Sequence, residues 1–191
     1  SGASASALHA AWSSLTYGKI AGKETLIWGG TDGFCYGYPN KTEKDADGYD
    51  LFMPSWKVDC NEPEYRIDKD GKKVPYATPP GPSELIGTPV LYEEKVYVAI
   101  GQDPEHGDGV GRLSCIDAKN GEVVWKYTDV GRTISTVSVH DDLVYVAEYA
   151  GLIHCLDAND GKLYWTYDSF SRIWGSTLVA VSYTHLTLPT M

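Results

Sequence analysis

The sequence is poor in methionine, phenylalanine and cysteine, with 2, 3 and 4 of each in 191 residues. The cysteines stand at 35, 60, 115 and 155, with no adjacent pair and no C-x-x-C. That spacing speaks against a cysteine-type zinc site and against C-x-x-C-H haem attachment. No apolar run approaches the ~20 residues of a membrane-spanning helix. Basic residues are also scarce: 16 Lys and Arg face 26 Asp and Glu, a formal net charge of −10. A general nucleic-acid binder needs a basic face for phosphate, and a surface docking on anionic lipid needs the same, so both classes are disfavoured. No G-x-S-x-G, P-loop or H-E-x-x-H is present, and His9, His106, His140 and His154 have no Ser or Asp partner at a recognisable spacing. No segment sustains a 3.6-residue period, so no long helix is expected.

What is abundant is tyrosine (14), tryptophan (6) and glycine (20), a composition of short strands and tight turns. The chain is also repetitive. Cys115–Tyr127 read CIDAKNGEVVWKY, and Cys155–Tyr167 read CLDANDGKLYWTY, at an offset of 40. The flanks match too: LVYVA at 143–147 against KVYVA at 95–99, and ST at 135–136 against GT at 87–88. A divergent third copy lies upstream, with TLIW at 25–28, GFCYGY at 33–38 and Trp56 in the place of Trp125 and Trp165. It carries the extra residues KTEKDADGYD before Trp56.

Each copy predicts four short strands, A to D. In the last full copy these are Ile134–Val139, Leu143–Ala147, Leu152–Leu156 and Lys162–Tyr167. Asn120-Gly121 and Asp160-Gly161 are expected as hairpin dipeptides with positive φ at both positions. Four-stranded units at this period are β-propeller blades. The expected fold is all-β: a partial propeller with blades at about 12–58, 85–127 and 133–167. The first strand of a fourth would be at 172–180. Three and a fraction do not close a ring, so residues 1–180 are expected to be one incomplete propeller domain. Two other features agree with a cut chain. Ser1–Leu8 has neither an initiator Met nor the basic and apolar regions of a signal peptide. Val181–Thr190 resembles one reading frame of a sequencing-transposon adaptor, so residues 181–191 are expected to be a non-native tail.

The template C-φ-D-A-x-x-G-x-x-x-W resembles the tryptophan-docking motif of quinoprotein-type propellers. Asp117, Gly121 and Trp125 fit it, as do Asp157, Gly161 and Trp165. In the first copy Gly37 takes the small position and Pro39 the Asp position, which questions the docking of Trp56. The resemblance implies the PQQ-binding-like repeat family. That family holds pyrroloquinoline-quinone (PQQ)-dependent alcohol dehydrogenases and the non-enzymatic outer-membrane assembly lipoprotein of BamB type. It implies a bacterial periplasmic or cell-surface location. In dehydrogenases of this kind PQQ commonly lies against a vicinal disulfide, and this sequence has no adjacent cysteine pair.

Two loops exceed what the repeat requires, Gly101–Gly111 and Asp59–Gly87, and both would elaborate the rim shared by B–C and D–A connections. Asp103, Glu105, His106 and Asp108 could ligate a cation there, or form a solvated acidic loop. Asp45, Asp47 and Asp50 lack the full spacing and terminal Glu of a calcium loop. Arg132 and Arg172 occupy equivalent places before strand A, with Trp174 close by. They could bind a carboxylated planar ligand, including PQQ, or an acidic peptide or a sugar. Alternatively, they could pair structurally with a neighbouring blade. The expectation is a non-catalytic binding or scaffold propeller without cofactor, taking a protein or small-molecule ligand on this rim. The alternative is a PQQ- and calcium-dependent alcohol or sugar dehydrogenase. A carbohydrate-binding propeller is a weaker third reading.

Overall fold

The structure is a computed structural model that describes residues 7–76, 78, 81–106 and 109–180. The expected non-native tail lies outside the described residues.

Three four-stranded antiparallel sheets follow one another along the chain. The first is built from β1 (Thr16–Ile20), β2 (Lys23–Gly29), β3 (Phe34–Pro39) and, after an insertion, β6 (Trp56–Asp59). The insertion folds into a separate hairpin of β4 (Glu43–Lys44) and β5 (Asp50–Leu51). The Asp45 carboxylate caps its turn, accepting the N–H groups of Asp47 and Tyr49. The second sheet comprises β7 (Val90–Tyr92), β8 (Lys95–Ile100), β9 (Arg112–Asp117) and β10 (Val123–Tyr127). The third comprises β11 (Ser138–His140), β12 (Leu143–Ala147), β13 (Leu152–Asp157) and β14 (Leu163–Asp168). Single helical turns occur at Pro63–Arg66 and Pro104–His106.

Alternation along each strand places side chains on both faces of a blade. In β8, Val96, Val98 and Ile100 join a core with Ile20, Ile27 and Trp56 of the first blade. Tyr97 and Ala99 face the other way and pack with Val144, Val146 and Leu156 of the third. The middle blade is therefore covered on both faces. The third is covered on one, and its outer strand β14 is exposed along its whole length.

The inner A strands lie side by side, with β7 touching both β1 and β11. Side-chain hydroxyls link them in one direction. Ser14 N–H donates to Thr88 Oγ1, Thr88 N–H to Thr136 Oγ1, and Thr136 N–H to Ser176 Oγ, at 3.2, 2.9 and 3.0 Å. These are the equivalent residues of four successive copies.

Three expectations need correction. Strand A of the third blade begins at Ser138, not Ile134, because residues 135–136 bond sideways to neighbouring copies instead of to β12. Residues 172–180 lie beside β11 but form no strand. Positive φ at both turn positions is found at the A–B hairpins, Ala21-Gly22, Glu93-Glu94 and Asp141-Asp142, and not at Asn120-Gly121 or Asp160-Gly161. In those C–D turns only the glycine is left-handed, with φ of 79° and 75°.

Candidate functional site

The tryptophan motif is a plug and socket between neighbouring blades. Trp56 Nε1 donates to the Ala118 carbonyl at 3.0 Å, and Trp125 Nε1 to the Ala158 carbonyl at 3.0 Å. Gly121 and Gly161 face these rings; a Cβ at Gly161 would stand 2.6 Å from Trp125 Cε3. The socket turn is held by its aspartate. Asp117 accepts the Lys119 N–H and Asp157 the Asn159 N–H, at 2.8 and 2.7 Å. Within its own blade each Trp pairs across the ladder with the small residue, Gly37, Cys115 or Cys155. The register shifts by one residue beside Trp125 and beside Trp165, a bulge that re-aims the indole. Trp56 docks normally despite Pro39, because its socket belongs to the next blade. Trp56 and Trp125 are 8% and 9% exposed, whereas Trp165 is 46% exposed.

All four cysteines are free and buried. Burial pushes the Cys60 thiol up to about 12 and the Cys115 thiol up to about 11. They serve as small core residues.

On the rim, Arg132, Arg172 and Trp174 converge on one residue that the sequence did not single out, Tyr149 in the B–C turn of the third blade. The guanidinium carbons of Arg132 and Arg172 lie 4.4 and 5.4 Å from the Tyr149 ring centroid. Arg172 also donates to the Tyr149 hydroxyl at 3.2 Å, and Trp174 meets the ring edge-on at 5.1 Å. Tyr149 is buried while Arg172 and Trp174 are exposed. Beside it, Glu148 is held by the Gly131 N–H at 2.7 Å and His154 Nε2 at 2.8 Å. Burial pushes the Glu148 carboxyl up, but these hydrogen bonds outweigh it and the net displacement is downward.

The loop at 101–111 supplies a second cluster, differently composed from the expected one. Asp103 and His106 come together, with His106 Nδ1 3.9 Å from Asp103 Oδ2. Glu105 is exposed; its backbone N–H donates to Asp103 Oδ1 at 2.8 Å. Asp108 lies outside the described residues. The third member is His9, whose Nδ1 is 3.9 Å from both Asp103 Oδ2 and Glu84 Oε1. Tyr76 donates to Glu84 Oε1 at 3.0 Å. Burial pushes Glu84 up to about 7.

Residues 109–186 match the family described as outer membrane protein assembly factor BamB. No curated protein matches the chain. A quinohemoprotein alcohol dehydrogenase from Comamonas testosteroni is similar in fold at 14% identity and a TM-score of 0.55, over 85% of this chain and 31% of its own. A computationally designed protein, Ika8, aligns at 11% identity and a TM-score of 0.53, over 87% of this chain and 39% of its own. The matched stretch takes in the last two strands of the second blade and the whole third blade, and the structural likeness shows the β-propeller fold of the chain. The chain thus spans about a third of the length of these two structures.

In this partial propeller, the docking residues Trp56, Trp125, Gly121 and Gly161 build the scaffold, and the rim residues decorate it. Repeat equivalence led to Arg132 and Arg172. Nothing in the sequence pointed to His9, which lies 94 residues before Asp103. Tyr149 left only the faint signal of an aromatic in a turn. No helix among the described residues is long and apolar enough to cross a membrane.

Proposed function

We propose that the chain is a section of an extracytoplasmic propeller that binds an acidic ligand on this rim without transforming it. The observation that carries the reading is the convergence of two guanidinium groups on the Tyr149 ring, with the exposed Trp174 indole alongside. Such a group offers charge and a flat apolar face to a carboxylate-bearing peptide or small molecule. The match to an outer membrane protein assembly factor supports a protein partner and an extracytoplasmic location. Titrating the chain with a Glu/Asp-rich peptide while following tryptophan fluorescence tests this. Arg172→Ala and Trp174→Ala should each weaken binding at least tenfold. Unchanged affinity in both variants would overturn the assignment.

The same guanidinium pair favours a second reading, in which the rim holds the carboxylates of PQQ. Only part of the chemistry fits. The four cysteines are single and free, so no disulfide platform is formed from them. A shift of PQQ absorbance on adding the chain in calcium-containing buffer, lost in Arg172→Ala, would favour this reading over the first.

A further inference from the structure

We propose that His9, Asp103 and His106 bind a divalent transition-metal ion, with the buried Glu84 carboxylate as the fourth group. One donor atom from each of the first three lies within 4.8 Å of the others. Four ligands on a tetrahedron of radius 2.0–2.1 Å stand about 3.3 Å apart. The 3.9 Å separations here need only small side-chain rotations to close on an ion.

A second observation points to a missing partner. Glu84 is 0% exposed and its Oε2 has no hydrogen-bond partner. The Nδ1 atoms of His9 and His106 are also enclosed and unpartnered. Two enclosed imidazole nitrogens and a buried carboxylate oxygen, each without a hydrogen-bond partner, are costly unless something binds them. The aromatic contacts do not meet this need. The His9 and His106 rings pack 4.5 Å apart and against Tyr76, while both Nδ1 atoms lie 3.9 Å from Asp103 Oδ2, beyond hydrogen-bond distance.

Donor chemistry selects the ion. Two imidazoles and two carboxylates suit zinc, and also cobalt or nickel, while calcium and magnesium prefer all-oxygen sets. Two carboxylates balance the charge of a divalent ion. The ligands come from three separated stretches: the segment before β1, the connection between the first two blades, and the 101–111 loop. A bound ion would fasten the leading segment to the rim of the second blade.

The test uses the 191-residue chain, stripped with chelator and titrated with Co2+ and then Zn2+. The expected result is one equivalent of Co2+ giving the visible bands of a four-coordinate N/O site, displaced by Zn2+ and unaffected by excess Ca2+. His106→Gln and His9→Gln should each weaken Co2+ binding at least tenfold, with Glu105→Ala unchanged. Glu84→Gln should weaken it ten- to a hundredfold; because that substitution is in the core, circular dichroism accompanies it and the two histidine variants decide. No binding by the unaltered chain, or binding that survives the His9→Gln/His106→Gln double variant, would overturn the proposal.

Discussion

At the scale of single residues, one tryptophan type has two fates in the same chain. Trp125 fills a socket of Ala158 and Gly161, and its indole buries on the order of 200 Å², about 5 kcal/mol as an upper bound. Trp165 lies against Tyr145 and Cys155 of its own sheet, with the Tyr145 ring at 6.1 Å, and stays half exposed. Trp125→Ala should therefore cost about 3–5 kcal/mol in urea unfolding, and Trp165→Ala no more than about 2 kcal/mol. Equal losses would show that the socket contributes little. Glu148 gives a pH test. Its carboxyl is held below the ordinary value of 4.5, so the folded chain gains stability from it above that value. That gain disappears as pH falls through the depressed folded value. The stability difference between the chain and Glu148→Gln should be constant near neutrality and shrink on acidification below pH ~4.5.

At the scale of strands and turns, strand B was legible because LVYVA alternates cleanly, and β12 spans those residues without a shift. Strand A was not, because its hydroxyl residues are engaged by other copies, a long-range bond that local pattern does not carry. The turn assignments failed for a related reason. Asp-Gly and Asn-Gly are frequent in left-handed hairpin turns, but here Asp117 and Asp157 cap a wider turn in which one glycine suffices. The true two-residue turns contain Glu93-Glu94 and Asp141-Asp142, residues with no strong preference for positive φ. Glu94 is retained there by other bonds, to the Ala21 N–H at 2.6 Å and to Lys119 at 2.7 Å. Asp141-Asp142 has no such side-chain bond across blades. Replacing it with Asn-Gly should stabilise the chain by about 0.5–1 kcal/mol, read as a higher Tm in calorimetry. No gain would show that the acidic pair is already relaxed. The rim followed the same division. Arg132 and Arg172 were legible through their repeat, whereas His9 reaches its cluster through tertiary packing alone.

At the scale of the whole molecule, the third blade presents an apolar outer side. Tyr164, Trp165 and Tyr167 are all at least 46% exposed, and Phe170 is 90% exposed. Exposed apolar surface of this kind drives association. Light scattering of the chain should show a mass that rises with concentration, and Trp165→Glu should suppress the rise. A concentration-independent monomer would mean that this surface is too polar or too broken to self-associate. The plug-and-socket contact also has a grammar. Each junction between the described blades is written by a tryptophan in one repeat and by an alanine carbonyl and glycine in the next, so no repeat has to recognise itself. A copied repeat brings its own plug and its own socket, and fits between any two others without either neighbour changing. The hydroxyl links run with the same polarity, and the long connection at 59–87 enters between two blades without disturbing them. Growth by duplication and elaboration at the rim are therefore independent, which lets one scaffold lengthen while its surface is rewritten for a new ligand.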